Sequence, residues 1–310
     1  MHGQGEFWDR DGSYYSGRFY KGKKHGMGYY KTKDGTRYRG KFKSDVGHGF
    51  AKVKYANNFS FEGNYANGMQ NGWGVYKYPN GDIQYKGYWK NQKKDLWGKY
   101  HFKHRTKFLY YVGQFSNDKF NGLGTVTYSD KSMYQGFWLN NRRHGYGKYF
   151  SKEKSVYRGY WKNGLKHGFT YIINSDQSKF IGNFRGGKKF GEGLWIDTSG
   201  KRFIGFWYFD KLVGNSTIFA TNGDKYIGSL DFRKEASGCG TLVKVDGTVY
   251  HGQFKGGVYN GYGEEITKDG NSYKGSFKNG VYHGYGERVV SYSCRMDWVG
   301  IGKKYDRDLI

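Results

Sequence analysis

One proline and two cysteines occur in the 310-residue chain, and acidic residues are half as common as basic ones. The lone proline, in Pro79-Asn80-Gly81, falls in a turn, where it breaks no strand ladder. Cys239 and Cys294 are far apart and neither belongs to a CxxC pair, so a zinc cluster or disulfide framework is not expected. A reducing cytoplasm is the natural home for such a chain. No apolar run is long enough to span a bilayer as a helix. The first residues, MHGQGEFWDRDG, hold no apolar stretch of the secretory type, which also favours a cytoplasmic location.

What is abundant is glycine, 52 residues, and aromatic side chains, 21% of the chain. A mean hydropathy of -0.91 would suit a disordered chain, but the aromatic load argues against disorder. The formal charge is +26, from 52 Lys and Arg against 26 Asp and Glu. Such an excess favours acidic partners: anionic lipid, phosphoinositide, acidic protein or nucleic acid. A solvated lysine-rich surface accounts for it equally well.

The segment Tyr273–Gly286, YKGSFKNGVYHGYG, recurs from end to end. Its anchoring glycine reappears at Gly17, Gly40, Gly63, Gly87, Gly113, Gly136, Gly159, Gly182, Gly205, Gly228, Gly252 and Gly275. Full repeats begin near 15, 38, 61, 85, 111, 134, 157, 180, 203, 226, 250 and 273, with a partial repeat at 2–14. Repetition at a fixed period near 23 residues overrides the prior for a globular domain. The repeats fill 1–290. Residues 291–310 lose the period and are expected to cap the open sheet edge or to mediate self-association, as in a homodimer through the C-terminal end.

Within each repeat the anchors alternate, as in Tyr15-x-Gly17-x-Phe19, Tyr134-x-Gly136-x-Trp138 and Tyr273-x-Gly275-x-Phe277. Alternation is the strand period, so the three side chains of each set share one face. A second arm carries two further glycines, and Asn-Gly or Asp-Gly turns join the arms and the repeats. Each repeat therefore reads as a β-hairpin. The expected fold is all-β: an elongated single-sheet solenoid or meander of about twelve hairpins, twisted into a curved groove.

Repeats four and eight to ten depart from the pattern. Leu96 takes a glycine position, and His101–Leu109 holds extra residues and a basic cluster that includes Lys103, His104, Arg105 and Lys107. His25, His48, His144, His167 and His283 hold one repeat position, too far apart to share a metal ion. No nucleophile–base–acid set and no phosphate loop is present, so neither catalytic residues nor a cofactor or metal is expected.

YxGxW/F followed by HGxG at this period resembles the MORN repeat (membrane occupation and recognition nexus), over about residues 2–288. The resemblance implies an elongated solenoid of hairpins. Some MORN proteins are enzymes, with repeats preceding a methyltransferase or lipid-kinase domain, but here the repeats run through nearly the whole sequence and no such domain is expected. The resemblance implies a non-catalytic scaffold that docks proteins, as in cytoskeletal, ciliary radial-spoke or membrane-junction assemblies. The alternative it implies is a peripheral membrane protein that binds anionic lipids or phosphoinositides.

Two residue sets are candidate sites. The residue between the second-arm glycines is Met27, Phe50, Trp73, Trp97, Leu123, Tyr146 and Phe169 in the first seven repeats. These form an apolar row, expected to be either a groove for helical, axonemal or cytoskeletal partners or part of the core. The first-arm loops carry Lys21, Lys23, Lys24, Lys90, Lys93, Lys94, Arg142, Arg143, Lys188 and Lys189, expected to form a basic edge for anionic lipid or an acidic partner. Nucleic acid is not favoured, because the aromatics sit at core-like spacing rather than on a known recognition module.

Overall fold

A computed structural model of the chain describes residues 2–103 and 106–291 and the backbone of 304–306. The tail expected to act as a cap or self-association segment lies almost wholly outside the described residues, as do His104 and Arg105. Among the described residues there are 26 strands and no helix. Each repeat supplies two of them, such as Tyr14–Tyr20 and Lys23–Lys31.

The turns follow from the sequence. Between the arms, both central residues take positive φ: Lys21 and Gly22 at 49° and 76°, Asn279 and Gly280 at 51° and 86°. Two such residues in a row make the tight hairpin whose twist matches that of its strands. Between repeats a single residue does so, a glycine such as Gly12 or, in other turns, Asn58, Lys131, Lys154 or Gln177, and in most of them a preceding Asp or Asn side chain holds the turn. Asp11 Oδ1, for example, accepts from the Ser13 amide at 2.8 Å.

The chain divides into two compact units, residues 1–153 with 161–165, and residues 154–160 with 166–310. In each unit the strands run antiparallel and pair with their sequence neighbours. In the first unit small residues stand opposite one another across successive strands: Gly5, Gly17, Gly28, Gly40, Ala51, Gly63 and Gly74. The row continues through Gly87, Gly98, Gly113, Gly124, Gly136 and Gly147. The second unit has its own row, in which Ser216, Gly228, Gly240, Gly252, Gly263, Gly275 and Gly286 face one another in turn.

An aromatic ring fills the space that these residues leave. The Tyr15 ring covers Gly17 and Gly28, and is fully buried. It packs edge-on against Phe19 of its own repeat at 5.1 Å and Phe42 of the next at 5.2 Å. Tyr85 meets Trp89 and Phe115 in the same way, and Phe180 meets Phe184 and Trp207. Each such edge contact contributes about 0.5–1.5 kcal/mol beyond area burial. In each unit the core is thus a chain of edge-packed rings on one face of its strands. The anchors Tyr134 and Trp138 are buried in the first unit, and Tyr273 and Phe277 in the second.

The second-arm motif has a geometric cause. Gly17 pairs with Gly28, but Phe19 pairs with Lys24, so Arg18 alone faces the bulge His25-Gly26-Met27. Gly26 bends the strand at φ 67°. The Tyr15 hydroxyl donates to the Arg18 carbonyl at 2.8 Å, satisfying an acceptor at the bulge. Tyr85, Tyr134 and Tyr250 repeat this bond three residues on.

Candidate functional site

Because the ring-bearing face is taken up by the core, the opposite face of the sheet is open. In the first unit Met27, Phe50, Trp73, Trp97, Leu123 and Tyr146 all rise from that open face. Their exposure runs from 42% at Trp73 to 55% at Met27, and Phe169 in the second unit is 57% exposed. None of the seven packs in the core. Each directly precedes the small residue of the row, so strand alternation turns it away from the ring-bearing face.

Sequence reasoning missed their neighbours. Tyr88 stands opposite Trp73, and Phe137 opposite Leu123. The Trp73 and Tyr88 rings meet edge-on at 5.2 Å, both more than 40% exposed. These two residues occupy the first-arm position between the glycine and the aromatic anchor. Arg18, Lys41, Asn64 and Gln114 hold it in other repeats of this unit, so an aromatic there was the available signal.

The loop cations separate into two sets. Lys21, Lys23, Lys90, Lys93 and Arg142 in the first unit and Lys188 in the second are exposed. Lys188 pairs with Asp210 at 3.0 Å. Lys24, Lys94, Arg143 and Lys189 instead turn to the ring-bearing face and are half-buried. Lys24 lies 3.9 Å from the Tyr30 ring centroid, Arg143 4.0 Å from that of Trp161, and Lys189 4.4 Å from that of Trp207. Lys94 bonds Asp118 at 2.9 Å. Burial holds the Lys189 ammonium below the usual lysine range.

These four share one repeat position, four residues before the small residue of the row. Elsewhere a ring takes the same place. Phe120 stacks on Tyr111 at 3.8 Å and 11°, and Tyr259 on Tyr250 at 3.6 Å and 9°. In these repeats the position covers the anchor ring with a cation or a second ring, whereas Gly47, Gln70, Leu212 and Ala236 hold it in others. The physical reason is shared: the face of a π-system attracts a cation and also stacks.

The insertion of repeat four lines an open cleft of about 1300 Å³ between the turn Tyr78–Ile83 and the start of the next strand. Tyr78 donates to the His101 carbonyl at its base. Among the described residues no three His, Cys, Asp or Glu side chains cluster to hold a metal ion.

The MORN repeat family model matches nine segments: 1–14, 15–37, 61–83, 111–133, 134–153, 157–169, 180–202, 250–272 and 273–289. The chain belongs to the MORN repeat family. The MORN matches skip 38–60, 84–110 and 203–249, where Ala51, Leu96 and Ser216 replace glycines. MORN repeats are a non-enzymatic family that generally binds proteins or membranes. No curated protein matches the chain.

Among solved structures, the TCP10 domain of Danio rerio CPAP is 11% identical, over 71% of this chain and 90% of its own, at a TM-score of 0.31. The Drosophila melanogaster SAS-4 (dCPAP) TCP domain, in complex with a proline-rich motif of Ana2 (dSTIL), is 12% identical. It covers 73% of this MORN chain and 90% of its own, at a TM-score of 0.17. A streptogramin B lyase is 11% identical over 88% and 90%, at 0.14. At these scores the likenesses assign neither partner nor activity.

Proposed function

We propose that this MORN-repeat chain is a non-catalytic scaffold that docks a protein partner on its open sheet face. Its setting is a cytoskeletal, ciliary or membrane-junction assembly. The observation that carries this reading is the row Trp73, Trp97, Leu123 and Tyr146, each at least 42% exposed. Large apolar side chains set in register on one face mark an interaction surface, whereas scattered ones do not.

The test compares the natural chain with the Trp73→Ser/Trp97→Ser variant as baits from the native cell. A Lys33→Glu variant, altered only at an exposed lysine in a turn between repeats, serves as control. A protein retained by the natural chain and the control but lost by the tryptophan variant, then rebound when purified, supports the reading. Identical retention by all three overturns it.

A second reading rests on Lys21, Lys23, Lys90, Lys93, Arg142 and Lys188, which remain exposed. Near an anionic bilayer each would contribute about 1 kcal/mol. Co-sedimentation with phosphatidylserine vesicles, lost on changing these residues to Glu, would favour it.

A further inference from the structure

The apolar row of the first unit is bordered by basic residues on both sides. Two residues along the strands, the register places Arg39, Lys52, Lys86, Lys99 and Lys148 in a parallel row, interrupted beside Leu123 by the uncharged Val112, Thr125 and Gln135. From Tyr29 to Lys148 that row holds one acidic side chain, Glu62, which lies 3.9 Å from Lys52 and 3.7 Å from Lys77. On the turn side, Lys90 alternates with Tyr88 along its strand and stands opposite Lys93. Lys43, Lys119 and Arg142 extend that border, all exposed.

The spacing is that of a helix. Successive strands lie ~4.8 Å apart, so the row repeats every ~9.6 Å. An α-helix rises ~1.5 Å per residue, so one heptad advances ~10.5 Å. A helix laid across the strands thus presents one anchor to each repeat. Tyr88 and Phe137 each stand on the strand next to Trp73 and Leu123, one ~4.8 Å step away, which matches the ~4.5–6 Å advance between i and i+3 or i+4. The basic borders lie ~7 Å to the side, where the flanks of a helix ~10–12 Å wide would fall. A membrane, by contrast, is a plane and offers no ~10 Å repeat for the row and its borders to match.

We infer that the open face of the first unit seats an acidic amphipathic helix of a partner protein, with apolar heptad anchors on the Trp73–Trp97–Leu123–Tyr146 row and carboxylates on the lysine borders. This rests on the docking reading above and names the partner's chemistry.

The probe is a designed, fluorescently labelled four-heptad helix with Leu at a and d and Glu at e and g. A second peptide carries Lys in place of Glu. Binding to the full chain is read by anisotropy, beside vesicles of phosphatidylserine in phosphatidylcholine. The acidic peptide is expected to bind at least about tenfold more tightly than the basic one, and less tightly as salt rises. Trp73→Ser/Trp97→Ser is expected to weaken it about tenfold or more. Lys86→Glu/Lys99→Glu, which alters only exposed lysines, is expected to shift preference toward the basic peptide.

Equal binding of both peptides, or binding of neither, overturns the inference. Vesicle binding lost in the tryptophan variant, with no peptide binding, overturns it in favour of a membrane. If neither peptide binds but the native protein partner is still lost from the tryptophan variant, the docking reading stands and the helix falls alone.

Discussion

The ring of Tyr15 lies so close over Gly28 that a β-carbon there would sit 2.6 Å from its Cε2 atom. The ring cannot yield, because Phe19 and Phe42 pin its edges and its hydroxyl bonds the Arg18 carbonyl. Repeat two shows what accommodation looks like. Ala51 holds the position of Gly28 there, and Tyr38 is only half-buried where Tyr15 is fully buried. Gly28→Ala is therefore expected to cost about 1–3 kcal/mol, the usual cost of overpacking. Chemical denaturation of the two chains measures it, and an unchanged midpoint would refute the packing account.

The anchor tyrosines also set an alkaline limit. Burial pushes the Tyr38 hydroxyl up to about 12, and burial, with neighbouring Tyr259, does the same to Tyr250. A folded-state value above the unfolded value of about 10 favours the neutral phenol in the fold. The contribution is full below pH 10 and is lost as pH rises through 12. Stability is therefore expected to be flat with respect to these groups at neutral pH and to fall between pH 10 and 12. Tyrosinate absorbance should show a late-titrating class that joins the early class when the chain is unfolded in denaturant.

The repeat, its hairpins and its ring anchors were legible because each depends on local chemistry: alternation, turn dipeptides and a recurring glycine. That Trp73 and Trp97 point away from the glycine row follows from strand alternation alone, but whether their face is open or core was not legible. It depends on which face the rings of successive repeats fill, and no single-strand pattern reports that. Lys23 and Lys24 illustrate the same gap. In sequence they are one basic pair, but strand alternation sends Lys23 to solvent and Lys24 over the Tyr30 ring. Tyr88 escaped notice because its partner Trp73 is named only by the register between strands.

Leu96 holds the bulge position at φ 54°, a conformation that costs an L-residue roughly 1–2 kcal/mol. Glycine fills this place in most repeats, and Leu96 is 61% exposed, so its side chain contributes little burial. Leu96→Gly is expected to raise stability by up to about 1 kcal/mol, against the general trend for glycine in a strand. A higher denaturation midpoint checks this. A lower one would show that the Leu96 side chain has a packing role that outweighs its backbone strain.

Arg143 joins consecutive repeats in two ways. Its guanidinium lies 4.0 Å from the Trp161 ring centroid, and its Nη2 donates to the Gly164 carbonyl at 3.0 Å. Lysine keeps the charge but not the planar fork. Arg143→Lys is expected to cost about 1 kcal/mol and Arg143→Ala about 2 kcal/mol, from lost stacking and an unmet acceptor. If both substitutions have the same effect, the guanidinium geometry is irrelevant and charge or bulk alone matters.

Backbone pairing in the first unit joins each strand only to its sequence neighbours, so shortening the chain before Tyr134 cuts one strand interface and leaves the earlier ones whole. Stability in such arrays is close to a sum of repeat and neighbour terms. The fragment 1–133 is therefore expected to keep a β-type circular dichroism spectrum and to melt cooperatively at a lower temperature. The loss falls on the last repeat. There Phe120 and Tyr111 give up their edge contacts with Trp138 at 5.5 and 5.8 Å. The strand Lys119–Tyr128 also becomes an open edge with unpaired amides. Size-exclusion chromatography should consequently show stronger concentration-dependent association for the fragment than for the full chain. A fragment with a coil spectrum would contradict neighbour-only stabilisation, because it would mean that residues beyond 133 hold together strands they do not touch.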